Sequence, residues 1–249
     1  MLELHKLSKS YNGQVVLDTL NLSVEQGSVY ALLGKNGAGK TTLINILLDL
    51  LPPDAGKALL RGKDSRTLTK TDKQNIGAVP EDMALIEELN GYDYLHFIGK
   101  IYSMPKEILK KRIDDLFGFF FENSQDLKKS IAKYSTGMKK KIAFCAAVIH
   151  TPEILILDEP FAGLDPLVAH QMIDFLKKYQ HEDRTVFVSS HDLAYVEKIA
   201  THIGVLDNGF MKFDSTMTDF TQNGQNQLDA ALMEIIKPKE SKLDNFDWL

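Results

Sequence analysis

The stretch Gly34-Lys35-Asn36-Gly37-Ala38-Gly39-Lys40-Thr41-Thr42 decides the fold of this 249-residue chain. It satisfies the pattern G-x-x-x-x-G-K-[ST], in which glycines let successive backbone N–H groups turn towards phosphate oxygens. An apolar run at residues 28–33 precedes it and predicts a strand, and a helical pattern from residue 40 to about residue 50 follows it. This order is typical of a phosphate-binding loop, with Lys40 at the β- and γ-phosphates and Thr41 offering a hydroxyl to Mg²⁺. The alternative is an ordinary glycine-rich turn between a strand and a helix.

The chain on either side of this loop predicts a mixed α/β fold. Apolar and polar residues alternate over residues 20–24, so the opening is predicted to be rich in β-structure. Further strands are predicted at residues 57–61, 75–79, 154–157, 185–189, 203–207 and 210–213. A helix is predicted from residue 166 to about residue 180, and Asn208-Gly209 is a strong hairpin signal between the last two strands.

Residues 82–149 differ, because apolar side chains recur there at helical spacing with few strand signals between them. The predicted fold class is therefore α/β, a P-loop NTPase core with an N-terminal antiparallel β subdomain and this helical subdomain inserted. We expect one domain over residues 1–221 and a tail over residues 222–249. Apolar residues in the tail predict a short amphipathic helix: Leu228, Ala231, Leu232, Ile235 and Ile236.

Composition excludes several classes of protein. Hydrophobic residues make up 44% and charged residues 25%, which excludes collagen-like, low-complexity and disordered chains. The formal net charge is −5, so no overall basic field attracts nucleic acid, and no nucleic-acid partner is expected. The longest apolar runs, residues 44–51 and 143–149, are shorter than the roughly 18 residues that cross a bilayer. With the single cysteine Cys145 and no signal-peptide pattern at residues 1–10, we expect a cytoplasmic chain.

Two carboxylates follow the apolar run at residues 154–157. Because Asp158 and Glu159 lie where a strand ends, Asp158 can hold the Mg²⁺ shell and Glu159 can face an attacking water. Many buried strands end in an acid, so this pattern alone is weak. Beside a phosphate-binding loop it predicts a hydrolytic site with Glu159 as the group that orients water or accepts its proton.

The segment Tyr134-Ser135-Thr136-Gly137-Met138-Lys139 resembles the signature sequence of ABC-transporter ATPases. The order of motifs strengthens the resemblance over about residues 1–214. The family's motifs are matched in order by Tyr11 as the A-loop aromatic, residues 34–42 as the P-loop and residues 76–82 as the Q-loop region. They continue with residues 134–139 as the signature, 154–159 as the Walker B strand, 162–165 as the D-loop and His191 as the switch histidine. The chain is most similar to bacterial ATPases of the ABC-2 exporter type.

This resemblance implies ATP and Mg²⁺ as cofactors and a role for each matching residue. Lys40, Glu159 and His191 would carry catalysis, and Thr41, Glu81 and Asp158 would hold the metal. The residues that would bind the nucleotide are Tyr11, Val16, Gly34, Lys35, Asn36, Gly37, Ala38, Gly39, Lys40, Thr41, Thr42, Ser135 and Gly137. The ordinary alternatives are a surface or core tyrosine at Tyr11, a helix N-cap at Ser135 and a lone histidine at His191.

Three residues depart from the family pattern. Glu81 stands where most members carry the glutamine of the Q-loop, and its carboxylate adds negative charge beside the phosphates. Thr136 replaces the first signature glycine and Met138 replaces the usual glutamine. Ser135 and Gly137 are both retained. We expect both sites of a homodimer to be competent, since one chain carries Lys40, Asp158, Glu159 and His191.

The resemblance further implies a homodimer formed on ATP binding, with each signature facing the partner's P-loop. It also implies a separate integral membrane permease as partner, most similar to exporters. The chain would then lie on the inner face of the cell membrane, touching the membrane only through that permease. Two alternatives stay open, a soluble ABC ATPase of a non-transport machine and the ATPase of a membrane signalling or mechanical complex.

A local basic cluster brackets the signature. Its members are Lys128, Lys129, Lys133, Lys139, Lys140 and Lys141. We expect these lysines to form a solvated face, and the alternative is a surface that docks on acidic permease loops or anionic headgroups.

Overall fold

Two sheets organise residues 1–123 and 125–236, which are the residues that the computed structural model describes. The strands are β1 (Leu2–Tyr11), β2 (Gln14–Val24), β3 (Val29–Leu33), β4 (Ala55–Leu60), β5 (Lys63–Asp64), β6 (Ile76–Val79), β7 (Ile154–Asp158), β8 (Thr185–Ser190), β9 (His202–Asp207) and β10 (Phe210–Thr216). The α-helices are α1 (Lys40–Leu47), α2 (Lys70–Lys73), α3 (Gly91–Ile101), α4 (Lys106–Phe120), α5 (Thr136–Val148), α6 (Pro166–Tyr179), α7 (Leu193–Val196), α8 (Met217–Phe220) and α9 (Leu228–Ile236).

The first sheet is antiparallel and lies at the N-terminal end of the chain, as predicted. Its strand order is β2-β1-β4-β5, with β1 in the middle of the three long strands. Leu2 pairs with Val24 of β2 on one side and with Leu60 of β4 on the other. Leu2, Leu4 and Leu7 are buried, so the apolar residues of β1 form part of the core beneath the sheet.

The second sheet is the predicted P-loop core. Its order is β10-β9-β3-β8-β7-β6, in which β9, β3, β8, β7 and β6 run parallel and β10 is an antiparallel edge strand. The hairpin at Asn208-Gly209 joins β9 to β10, with Asp207 paired to Phe210. Side chains of β3 alternate between two cores, because Tyr30 and Leu32 face the first sheet and α1 while Ala31 faces α5 and α6.

The helical insert lies between β6 and β7 and comprises α3, α4 and α5. Its inner faces join one large core on the far side of the parallel sheet. An aromatic cluster joins α4, α5 and α6 there, since the rings of Phe120, Phe144 and Phe175 lie 5.3 to 5.6 Å apart between centroids. Through these contacts α5, which begins directly after Ser135, is held against the P-loop core.

One helix ends earlier than predicted. The pattern from residue 40 predicted a helix to about residue 50, but α1 ends at Leu47. Asp49 adopts a left-handed φ of 60°, its N–H donates to Ile46 O, and Leu50 N–H donates to Asn45 O. These two bonds form a Schellman motif, which usually carries glycine at the left-handed position, and here the residue is an aspartate that gives no helix-stop signal.

The predicted amphipathic tail helix is α9, in which Leu228 and Ala231 are buried against β9, β10 and their surroundings. Residues 237–249 of the predicted tail lie outside the described residues. The boundary between domain and tail at residue 221 stays a prediction. No helix in residues 1–123 and 125–236 combines the length and the hydropathy needed to cross a membrane.

Candidate functional site

Four neighbouring parallel strands end at one edge of the second sheet, and each supplies part of the candidate site. The P-loop follows β3, Ser190 ends β8 before His191, Asp158 ends β7 before Glu159, and β6 leads through Pro80 into Glu81. In open α/β sheets ligands bind in the crevice beyond the carboxyl ends of the strands. The strand order β3-β8-β7-β6 therefore brings together groups that are far apart in the sequence.

The P-loop requires glycine where it approaches β2. Gly39 has φ of 106°, and a Cβ there would lie 2.6 Å from Leu17 Cδ2 and 2.9 Å from Val16 O. Gly39 also occupies the N-cap position of α1. Because glycine has no side chain to accept a hydrogen bond, the first N–H groups of α1 have no side-chain acceptor. A helix N-terminus with free N–H groups is suited to an anion such as phosphate.

The ammonium group of Lys40 is buried at the centre of the site. Its Nζ donates to Gly34 O at 2.7 Å and lies 3.1 Å from Glu159 Oε1. Both side chains are more than 90% buried, so the ion pair is shielded from solvent. A cation held in this position can be shared with an incoming phosphate oxygen.

Glu159 connects the P-loop lysine to the predicted switch histidine. Its second carboxylate oxygen, Oε2, lies 2.9 Å from Nδ1 of His191, whose side chain is half exposed. The backbone N–H of Glu159 donates to Ser189 Oγ at 3.0 Å, and its φ of 47° is left-handed. The three predicted catalytic residues Lys40, Glu159 and His191 thus form one connected chain of contacts.

Asp158 carries an unpaired oxygen that fits a metal. Its side chain is buried, Oδ1 accepts from the Ser189 hydroxyl, and Oδ2 has no hydrogen-bond partner. Burial raises the pKa of Asp158, and the hydrogen bond from Ser189 opposes that rise. Thr41 Oγ1 donates to Glu81 Oε2 at 3.2 Å. The three predicted metal-binding residues therefore offer hard oxygen donors, and this donor set fits Mg²⁺.

A cavity of about 420 Å³ opens beside these groups. It is lined by Tyr11, Val16, Lys35, Asn36, Gly37, Gly39, Lys40, Thr41, Thr42, Glu81 and Glu159. Tyr11 is 45% exposed, with Lys9 Nζ 5.6 Å from the centroid of its ring, so part of the ring surface is available to an aromatic base. Four predicted residues of the same loops and strand ends do not line the cavity: Gly34, Ala38, Asp158 and His191.

The signature residues lie outside this cavity. Ser135 is exposed at the start of α5, where its Oγ accepts from Met138 N–H at 3.3 Å. Gly137 faces nearly open space, because a Cβ there would meet only Leu164 Cδ2 at 3.9 Å. Ser135 is therefore an N-cap, and the first turn of α5 remains accessible to a further ligand.

The sequence interpretation missed two residues that shape the site. Ser189 is buried and bonds both Asp158 and the backbone of Glu159, and its register opposite Asp158 in the neighbouring strand gives it that position. Lys140 donates to Glu159 O at 3.0 Å and also to Ala162 O. The prediction of a solvated basic face is wrong for Lys140 and also for Lys141, whose Nζ donates to Phe120 O at 2.7 Å.

Comparison with known proteins gives a consistent picture. Residues 17–162 match the family model described as "ABC transporter". The chain is 35% identical over 212 residues to the bacitracin transport ATP-binding protein BcrA of Enterococcus faecalis, covering 85% of this chain and 68% of that protein. It is 32% identical to the lantibiotic transport ATP-binding protein SrtF of Streptococcus pyogenes, covering 84% and 88%. A solved structure of an ATP-binding subunit of an ABC transporter superposes with a TM-score of 0.86 and 29% identity, covering 94% of this chain and 99% of that one.

Proposed function

The chain belongs to the ABC transporter family, and from this premise we propose that it is the ATP-binding and ATP-hydrolysing subunit of a membrane exporter. One observation carries the proposal: the buried carboxylate of Glu159 contacts Lys40 with one oxygen and His191 with the other, beside the P-loop cavity. This arrangement supports phosphoryl transfer to water, since a cation that can bind phosphate and a carboxylate that can orient water are in contact.

ATP occupies the cavity with its adenine against Tyr11. The exposed ring offers a stacking surface, and Val16 forms an apolar wall next to it. The phosphates lie over the first turn of α1, where backbone N–H groups of the P-loop residues 34–42 and Lys40 Nζ bind them. Lys35, Asn36 and Thr42 also line the cavity and contribute to this cradle.

Hydrolysis depends on the acid that follows β7. Glu159 orients the attacking water and accepts its proton, and His191 helps to hold the water and contacts the γ-phosphate. Lys40 binds the β- and γ-phosphate oxygens and so stabilises the charge that develops on them. The backbone bond from Glu159 N–H to Ser189 fixes the position from which the carboxylate acts.

Mg²⁺ would be held by Thr41, Glu81 and Asp158, of which Asp158 has the unpaired buried oxygen. When bound, the ion neutralises charge on the β- and γ-phosphate oxygens. Glu81 supplies a carboxylate in place of the family's neutral amide, and this favours a hard cation at the same point.

Two copies of the chain meet head to tail on ATP. Ser135 and Gly137 of each copy then face the γ-phosphate bound by the other copy, as the family resemblance implies, and neither residue lines the cavity of its own chain. The N-terminus of α5, the Ser135 hydroxyl and the Gly137 N–H are suited to that anion. The domain over residues 1–221 forms this cassette, and the tail from residue 222 packs α9 on it.

The partner that couples hydrolysis to transport is a separate membrane permease. An apolar groove of about 230 Å³ lies next to Glu81, between the segment at residues 83–85 and helices α3 and α5, with Tyr94 and Ile98 in its lining. We place a permease loop there, which holds the chain at the inner face of the membrane. Similar proteins are named for bacitracin transport and lantibiotic transport. These names favour peptide antibiotics of this kind as the compounds that the proposed transporter moves.

The test measures ATP hydrolysis and molecular mass for wild type and Glu159→Gln. We expect the variant to lose at least about 100-fold in kcat and to double its mass in light scattering when ATP and Mg²⁺ are added. Glu153→Gln is the matched control, since Glu153 forms only a partly exposed pair with Arg61. Wild-type turnover by Glu159→Gln, or a monomer in the presence of ATP, would contradict the proposal.

A further inference from the structure

Lys140 lies on α5, one and a half turns after the signature serine, and its side chain points into the protein. Its Nζ donates to the carbonyl oxygens of Glu159 and Ala162, two residues that are three positions apart. Neither acceptor belongs to the helical insert that carries the lysine. The side chain therefore joins α5 directly to the turn that follows β7.

That turn begins at Glu159, the residue proposed to orient the attacking water. Ala162 N–H donates to Glu159 O at 3.2 Å, so residues 159–162 close a turn around the same carbonyl that Lys140 binds. Glu159 has a left-handed φ of 47°, a conformation that costs a non-glycine residue about 1 kcal/mol or more. Such a conformation persists only where the surroundings hold it. Here Ser189 binds the N–H side of Glu159 and Lys140 binds its carbonyl side.

We infer that Lys140 is a positioning residue for ATP hydrolysis: its ammonium group fixes the Glu159–Ala162 turn and thereby the direction of the Glu159 carboxylate. The inference rests on the role proposed for Glu159 and adds a residue outside the nucleotide cavity. It also links the signature helix to the hydrolytic group of the same chain, because α5 carries Ser135 at its start and Lys140 in its second turn.

The charge of Lys140 fits this role. Hydrogen bonds from an ammonium group to carbonyl oxygens are charge-assisted and stronger than neutral ones. Burial lowers the pKa of Lys140, and the carboxylates of Glu159, Glu81 and Asp158 act in the opposite direction by favouring its charged form. The ammonium group of Lys140 thus binds backbone carbonyl oxygens, while the carboxylate oxygens of Glu159 contact Lys40 and His191.

The next residue provides a matched control. Lys141 is also half-buried, burial lowers its pKa as well, and its Nζ donates to a carbonyl oxygen. Its acceptor is Phe120 at the end of α4, so this bond stays within the helical insert. Removing Lys141 therefore removes a similar, partly buried hydrogen bond without touching residues 159–162.

The experiment compares Lys140→Met, Lys140→Arg and Lys141→Met in the full chain for kcat, ATP KM and thermal stability. We expect Lys140→Met to lose about tenfold in kcat with little change in KM, since a misplaced group costs rate more than substrate affinity. Lys140→Arg keeps charge and donors and should recover most of that loss. Lys141→Met should keep wild-type kcat even where its melting temperature falls as much as that of Lys140→Met.

Two results would overturn the inference. One is wild-type kcat in Lys140→Met, and the other is an equal loss of kcat in Lys141→Met, which would mark both lysines as structural only. Wild type and Glu159→Gln are measured in parallel, which separates the two proposals. An inactive wild type would remove the proposed function itself, whereas an inactive Glu159→Gln beside a fully active Lys140→Met would remove only the role of Lys140.

Discussion

Replacing Asp158 with asparagine should make the nucleotide-free protein more stable while it abolishes activity. In the wild type the carboxylate is 2% exposed and Oδ2 has no hydrogen-bond partner. A buried polar atom without a partner costs about 1–3 kcal/mol, and a charged one costs more. Asparagine keeps the shape and leaves a polar group at the same place, but it removes the charge and with it the larger part of this cost. We therefore expect a gain of about 1–2 kcal/mol, or roughly 2–8 °C in Tm for a domain of this size.

The gain should depend on pH with a definite sign. Because burial raises the pKa of Asp158 in the folded state, the folded protein binds the proton more tightly than the unfolded chain. The wild type is thus relatively most stable below the unfolded pKa and loses stability as the pH rises through the folded pKa. The advantage of Asp158→Asn should be small near pH ~4 and larger near pH ~7.

The assay is thermal unfolding at both pH values, with and without ATP and Mg²⁺. Asp72→Asn serves as a control of opposite sign, because hydrogen bonds from Lys63 and Thr69 lower the pKa of Asp72. Asp72→Asn should be less stable than wild type at neutral pH, and this difference should become smaller at acidic pH. With ATP and Mg²⁺ the ranking of wild type and Asp158→Asn should reverse, since only the wild type gains from ligand binding. An Asp158→Asn protein that melts at or below wild type at neutral pH, or whose advantage is the same near pH ~4, would refute the reasoning.

Three further predictions address the adenine site, the dimer and the core. Tyr11→Ala should raise the ATP KM about tenfold while Tyr11→Phe leaves it unchanged, because stacking contributes about 1–3 kcal/mol, and steady-state kinetics decides this. Gly137→Asp should keep the wild-type Tm, since an added Cβ would meet only Leu164 Cδ2 at 3.9 Å. The variant should lose the ATP-dependent dimer in light scattering, because its negative charge repels phosphate. A dimer of normal stability would contradict the role of the signature. Gly204→Ala should destabilise by about 1–3 kcal/mol in denaturant unfolding, because its Cβ would overlap the hydroxyl of buried Tyr30. Gly118→Ala in α4, with no neighbour within 4 Å, should instead stabilise by about 0.5–1 kcal/mol, and equal effects of the two would be inconsistent with this packing.

The common location of the candidate site residues could be predicted from the sequence because these residues follow the ends of strands. Apolar runs mark β3, β7 and β8, and the residues after them, Lys40, Glu159 and His191, fall at a common sheet edge once the strands are parallel. The order of the strands could not be predicted, because pairing depends on contacts between segments that local periodicity does not describe. Ser189 illustrates this, since its bond to Asp158 exists only because β7 and β8 are neighbours in this register.

Side-chain direction is the second feature that the sequence leaves open. Six lysines around the signature indicated a solvated face, yet Lys140 and Lys141 bind carbonyl oxygens inside the protein. The acceptor of Lys140 lies 19 residues away, in a turn whose shape depends on Glu159 adopting a left-handed conformation. The end of α1 was also not predictable, because Asp49 occupies the left-handed position at which glycine is usually found.

The most direct test of the central claim is to purify tagged Glu159→Gln protein from gently solubilised membranes of its own cells, with ATP and Mg²⁺, and to identify what accompanies it. We expect a polytopic membrane protein in stoichiometric amount, as the ATPase subunit of a transporter requires. Recovery of ribosomes, nucleic acid or only soluble proteins would contradict the account and assign the ATPase to another machine. A membrane partner with few spans and a large outer domain would contradict transport in favour of signalling.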